Sequence, residues 1–347
     1  MQSDVPPAQP TGNQPIPLEP GQLVGHGRYK LINMLAKGGS SKVWLAEDSR
    51  QSEKVALKFL PAELLNDAAT FQMMQRETDK IRKFSHPNIV RIYDLHTSPV
   101  EPSFLAMEFI DGDNLHNLSG YQPHGIYTWE AIKHWVKQLC NALTYAHEQG
   151  VIHRDIKPSN LMIDAQGRLK LTDFDISKTA GDPKQHNHTG PITGTPGYMS
   201  PQQLSGHPPH VTDDIHALGA TLYELLTGRR PFHSGDIHAQ VFSTKPKPLN
   251  ETLWDQGLTN NIPSDVSALI MACLAKDPSM RPASTKLVAQ WLDLGTSNSA
   301  SLVSDEQSPS TTFFTMARTE KIMSHLITGI AAIAVALLVL VVWLLAR

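Results

Sequence analysis

Two short acidic loops place the tightest constraint on this chain. The first, Val151-Ile152-His153-Arg154-Asp155-Ile156-Lys157-Pro158-Ser159-Asn160, puts a carboxylate, a cation and an amide on one short stretch. The second, Thr172-Asp173-Phe174-Asp175, brings another carboxylate thirteen residues after Asn160, on a turn behind the β-prone run Leu169–Thr172. A carboxylate so placed can orient a hydroxyl and accept its proton, and the lysine can neutralise phosphate charge. The amide and the second carboxylate are oxygen donors for a divalent cation. Phosphoryl transfer needs this set, because the protein mostly positions reactants and neutralises oxygen charge. One loop alone reads equally well as a surface turn; two at this spacing do not.

The elements around them divide into a β-rich and an α-rich block, an α+β chain with two lobes. Short β-prone runs at Tyr29–Leu35, Lys42–Glu47 and Lys54–Leu60 precede a helix-period stretch from Ala62 to Phe84, then strands at Ile89–Leu95 and Ser103–Phe109. After Gly112 apolar residues recur at helical spacing over Trp129–Gln149, Asp213–Thr227, Pro263–Ala275 and Thr285–Leu294. The folded domain is expected over 25–294, its lobes being 25–110 and 111–294. Residues 1–24 are rich in Pro and Gln and suit a loose arm, with a peptide for a proline-reading domain as the alternative.

At these loops the sequence resembles the protein kinase superfamily, most of all the bacterial Hanks-type serine/threonine kinases, over about residues 28–292. The resemblance implies a two-lobed kinase fold, ATP as phosphoryl donor, Mg2+ (with Mn2+ as the alternative) as cation, and protein substrates. It makes Asp155 the catalytic base, Lys157 the phosphate-neutralising lysine, and Asn160 and Asp173 the metal ligands. Lys58, in Val55-Ala56-Leu57-Lys58, resembles the lysine that holds the α- and β-phosphates, and Glu77 its ion-pair partner. The nucleotide is expected against Leu35, Ala36, Lys37, Gly38, Gly39, Val43, Ala56 and Met162, with Met107 as gatekeeper and Glu108–Ile110 as hinge. Gly194–Pro201 resembles the end of an activation loop, in which Thr189 and Thr193 are both candidates for phosphorylation. Arg154 beside Asp155 implies control by such a phosphate. His186 and His188, in the same loop, read as polar filler, with a metal site or pH switch as the alternative. Asp214 and Gly219 resemble residues of the long helix that underpins the family's second lobe; Asp214 also reads as a helix N-cap, and both readings can hold.

Three positions depart from the family. Ala36 and Ser41 replace the first and third glycines of the phosphate loop, where backbone N–H groups must approach oxygen closely. Asp175 stands where glycine follows Asp-Phe, adding a carboxylate that would alter Mn2+/Mg2+ preference. Gln202 replaces the glutamate that would pair with Arg281, so a neutral hydrogen bond is expected in place of an ion pair. These departures support a competing expectation, a nucleotide-binding pseudokinase or membrane scaffold without transfer activity.

Charge and composition restrict the remaining options. With 347 residues, a net charge of −3 and 40% hydrophobic residues, the chain carries no bulk polycation, which argues against a nucleic-acid partner. Cys140 and Cys273, the two cysteines, lie in apolar runs, so a reducing cytosol fits better than a disulfide framework. Residues 295–323 are dominated by Ser and Thr and read as a juxtamembrane linker; 324–347 read as a transmembrane helix, with Leu326–Ala346 free of charge. Arg318 and Lys321 precede that run and only Arg347 follows it, so the expected topology is a tail anchor with the kinase domain in the cytoplasm, at a bacterial inner membrane. The expected partners are then protein substrates and the lipid bilayer, with a homodimer and a cognate phosphatase as further ones.

Overall fold

A computed structural model describes residues 18–37, 41–61, 68–98, 100–174 and 195–292. Gly38, Gly39, Asp175, Thr189, Thr193, the two loop histidines and both tails lie outside the described residues. Among the described residues no helix is long and apolar enough to cross a membrane, and the run Leu326–Ala346 is not one of the segments described.

The described elements run β1 (Leu23–Val24), β2 (Tyr29–Lys37), β3 (Lys42–Asp48), β4 (Glu53–Phe59), α1 (Ala68–Ile81), β5 (Ile92–His96), β6 (Phe104–Glu108), β7 (Gly112–Asn114), α2 (Leu115–Ser119), α3 (Trp129–Glu148), β8 (Leu161–Asp164), β9 (Leu169–Leu171), α4 (Pro201–Leu204), α5 (Val211–Thr227), α6 (Ile237–Ser243), α7 (Leu249–Trp254), α8 (Ser264–Cys273) and α9 (Thr285–Trp291). They form two compact units: the chain to Ser85 with Val90–Phe109, and His86–Ile89 with the chain from Ile110.

In the first unit an antiparallel sheet has the order β1-β2-β3-β4-β6-β5. Val55, Ala56 and Leu57 are all buried, so β4 is covered on both faces, as expected for a central strand. Tyr29, Trp44, Leu57, Phe59 and Phe104 build the core, with the rings of Tyr29 and Phe104 edge to face at 5.5 Å. Asp48 is buried at the β3 turn because Arg28 grips it with Nε and Nη2, the latter at 2.6 Å.

In the second unit α5 is buried almost all round. Its start is fixed by a capping box: the His210 side chain accepts from the Thr212 N–H, and Asp213 accepts from the His210 N–H at 2.9 Å. It ends at Gly228, whose φ of 74° needs glycine. Gly219 lets α8 approach, since a Cβ there would lie 2.6 Å from Cys273 Cβ. Burial pushes the Cys140 and Cys273 thiols up to about 12, so both are packing groups at neutral pH.

The strand expected from Ile89 starts instead at Ile92; Ile89 belongs to the helical unit, where it makes one parallel bridge to Leu171. Asn88 explains this, because its Nδ2 donates to the Leu169 carbonyl and to Gln138, tying the turn to the helical unit. The antiparallel pairing of β7 with β8, across α2 and α3 in the chain, was not expected from the sequence. It closes over Gly112, where a Cβ would fall 1.9 Å from the Ile163 oxygen.

Candidate active site

The helical unit carries the acidic loop between α3 and β8. Asp155 is contacted from both sides: Lys157 Nζ donates to its Oδ2 at 2.7 Å, and Asn160 Nδ2 donates to the same oxygen at 2.9 Å and to the Asp155 carbonyl at 2.7 Å. Asp155 and Lys157 are each about one-fifth exposed (22% and 21%), so the pair faces solvent while Asn160 is buried.

Three anchors hold this loop. Asp214 of α5 is fully buried and accepts the backbone N–H of His153 with Oδ2 and that of Arg154 with Oδ1, both at 2.8 Å. His147, near the end of α3, donates from Nε2 to Asp214 Oδ2 at 2.8 Å. Burial pushes the Asp214 carboxyl up, yet the His147 bond and neighbouring donors more than offset it, and the net shift is downward. His153 is the second anchor: Nε2 donates to the Thr172 carbonyl at 2.8 Å while Nδ1 accepts the Asp155 N–H at 3.2 Å. One neutral tautomer therefore serves both loops. The third anchor is Thr172, whose N–H donates to the Asn160 carbonyl at 3.0 Å. Within this frame Arg154 (φ 68°) and Asp173 (φ 58°) adopt left-handed backbone, which costs a non-glycine residue roughly 1 kcal/mol or more. The Phe174 ring packs on His153 at a centroid distance of 4.5 Å.

The sheet of the other unit aligns the residues expected around a nucleotide. Ala36 is paired with Val43, Val43 with Lys58, and Ala56 with Met107, so they occupy neighbouring strands. Glu108 caps the β5 edge, taking the Arg91 N–H at 3.1 Å. Glu77 of α1 makes an ion pair with Lys80 of the same helix, 2.7 Å away. Spacing of three residues on one helix supplies that partner locally. Met162, in the second unit, sits on β8 opposite Asn114, and Ile110, after β6, begins the second stretch of chain in that unit.

Beyond the undescribed segment, Thr195 precedes a 3-10 turn at Pro196–Tyr198. The Tyr198 hydroxyl donates to Glu224, and burial followed by that carboxylate pushes the phenol up. Gln203 of α4 donates to the Arg154 carbonyl at 2.8 Å, joining this segment to the acidic loop. Gln202 accepts from Arg281 Nη2 at 2.7 Å, the neutral bond expected at that position. Asp214 is not the N-cap: His210 is, and Asp214 is spent entirely on His153, Arg154 and His147. His147 and Gln203 had no sequence signal of their own.

A two-unit α+β fold with such a loop defines a class of phosphoryl-transfer proteins. The protein kinase domain model matches residues 29–292, and the chain belongs to that family. Similar proteins include the serine/threonine-protein kinase PknB of Mycobacterium leprae, 34% identical over 262 residues (73% of this chain and 40% of that protein). Serine/threonine-protein kinase PrkC of Bacillus subtilis is 35% identical over 253 residues, 73% of this chain and 38% of that protein. The chain thus spans about two fifths of the length of the curated relatives it matches. The solved kinase domain of Mycobacterium tuberculosis PknI shares the fold, with a TM-score of 0.64 at 22% identity over 80% of this chain and 99% of that one.

Proposed function

We propose that the chain is an ATP-dependent protein serine/threonine kinase that phosphorylates Ser and Thr of protein substrates, itself included. The observation that carries this reading is the Asp155 carboxylate, held by Lys157 and Asn160 on a loop anchored through Asp214. Asp155 orients the substrate hydroxyl and takes its proton as the oxygen–phosphorus bond forms and the bond to the leaving diphosphate breaks. Lys157 Nζ, already beside Asp155 Oδ2, lies where charge on the transferred group can be neutralised. Asn160 spends its Nδ2 on Asp155, which leaves Oδ1 as its oxygen for a cation, and Asp173 is the second hard oxygen donor. This donor set fits Mg2+ or Mn2+, which when bound would neutralise the phosphate oxygens. Lys58, with Glu77 recruited from Lys80, is the proposed grip on the α- and β-phosphates, and Thr189 or Thr193 the proposed phosphorylation site.

The names of the 34–35% identical relatives support the serine/threonine assignment. The charge-free run Leu326–Ala346 supports tethering to the cytoplasmic face of a membrane. A second reading, a nucleotide-binding scaffold without transfer, is favoured by Ala36 and Ser41. Labelled ATP with either metal separates the two. Transfer to the chain or to a generic protein, lost in Asp155→Asn and Lys58→Met, supports the kinase; nucleotide binding with no transfer supports the scaffold.

A further inference from the structure

A buried cation in the helical unit has no carboxylate partner among the described residues. Arg281 is 4% exposed and donates from Nε to the Ala275 carbonyl, from Nη1 to the Thr212 carbonyl, and from Nη2 to Gln202 Oε1 and the Lys276 carbonyl. All four acceptors are neutral. A guanidinium carries five N–H bonds, so one, on Nη1, has no acceptor among the described residues. Buried charges are ordinarily paired, and no ion pair of Arg281 occurs among the described residues. The acid that offsets it most through space, Asp213, is engaged by the Ser200 hydroxyl at 2.5 Å and the His210 N–H at 2.9 Å. The surplus charge is felt nearby: burial and then Arg281 push Lys276 down to about 8.

Arg281 also lines an open pocket of about 480 Å³, beside the start of the 17-residue helix α5. Pro208, Pro278 and Ala283 give it apolar walls, and Gln202 borders it next to the guanidinium. Its size is that of a small-molecule site, and its lining sets the Arg281 guanidinium beside the Asp213 carboxylate, whose oxygens are taken by Ser200 and by the His210 N–H.

We infer that this pocket binds a small organic acid, the apolar body against the prolines and the carboxylate on the free Nη1–H of Arg281. The acid supplies the negative charge that position 202 lacks. The site is separate from phosphoryl transfer and stands whether or not the chain transfers phosphate. Gln202 is followed by Gln203, which holds the Arg154 carbonyl, so the occupied pocket is one residue from a contact to the acidic loop.

The test is thermal unfolding of the full chain in detergent, titrated at constant ionic strength with benzoate or with benzamide, its neutral isostere. Benzoate is expected to raise the midpoint saturably, with benzamide at least about tenfold weaker. Gln202→Glu places a carboxylate on Arg281 from within and is expected to abolish the benzoate response while the protein stays folded. Equal responses to the two compounds, or an unchanged benzoate response in Gln202→Glu, would overturn the assignment.

Discussion

Two charges are buried within the same helical unit, and they are satisfied in opposite ways. Asp214 takes two backbone N–H groups and an imidazole, so every bond to it is made by a donor that the catalytic loop or its neighbour must place somewhere. Arg281 is surrounded by carbonyls and one amide oxygen, so its hydrogen bonds are nearly complete while its charge is not. The difference teaches that hydrogen-bond satisfaction and charge compensation are separate requirements of burial. The first charge organises a site; the second leaves electrostatic free energy for something else to supply.

The comparison breaks most readily at Asp214. In Asp214→Asn one oxygen becomes an NH2 group facing a backbone N–H, and the loop loses an anchor. Stability should fall by about 3–5 kcal/mol in denaturant unfolding. Phosphoryl transfer should drop by roughly 100-fold, because Asp155 loses its position rather than its chemistry. The acid limb checks the same claim. The folded Asp214 carboxyl is depressed below its ordinary 3.8, so its stabilisation is present above that pH and lost as pH falls through the folded value. The variant should lack this loss. Arg281→Met is the milder counterpart. It leaves acceptors unpaired but strands no opposite charge, so about 2–3 kcal/mol is expected. If it costs more than Asp214→Asn, the contrast drawn between the two charges is wrong.

How far the sequence reaches follows the same division. The closeness of Asp155, Lys157 and Asn160 was readable because all three lie on one short loop, where residue type and spacing fix the chemistry. The neutral Gln202–Arg281 bond was readable from a residue exchange at a resembled position. His147 on Asp214 was not: the partners are 67 residues apart, and nothing in the end of α3 distinguishes that imidazole from a surface one. The left-handed backbone at Arg154 was equally hidden, since arginine does not announce it, whereas Asp173 is at least a residue type that tolerates it. The strand start at Ile89 failed for a third reason, because β-propensity cannot report that Asn88 pulls its neighbour into the other unit. Lys80, by contrast, could have been found as a partner for Glu77 from the i,i+3 spacing alone.

The surplus charge of Arg281 should also be visible at His216, fully buried on α5 with Nδ1 on the Tyr198 carbonyl and Nε2 without a hydrogen-bond partner among the described residues. Burial first and Arg281 second push its pKa down to about 3. Below pH 6.5 the unfolded chain binds this proton and the folded chain does not, so stability falls as pH falls. The slope is about 1.4 kcal/mol per pH unit from this group, or about 2 kcal/mol between pH 6.5 and 5. Urea midpoints of the wild type and His216→Phe across that range should converge as pH drops. Parallel curves would show that His216 accepts its proton in the folded state.

The smallest effect is the most discriminating. Gln202→Glu converts the 2.7 Å neutral bond to Arg281 into a charge-assisted one without changing side-chain length. Charged hydrogen bonds exceed neutral ones by roughly 1 kcal/mol, and the new carboxylate meets a cation that is already desolvated, which limits its own burial cost. A gain of about 1 kcal/mol, some 2–4 °C in Tm for a domain of this size, is expected. Were Asp213 already neutralising Arg281 through space, a third charge would find no surplus to meet, and the substitution would be neutral or destabilising. A gain at position 202 thus shows that Arg281 is under-compensated, and a loss puts Arg281 and Asp214 in one category.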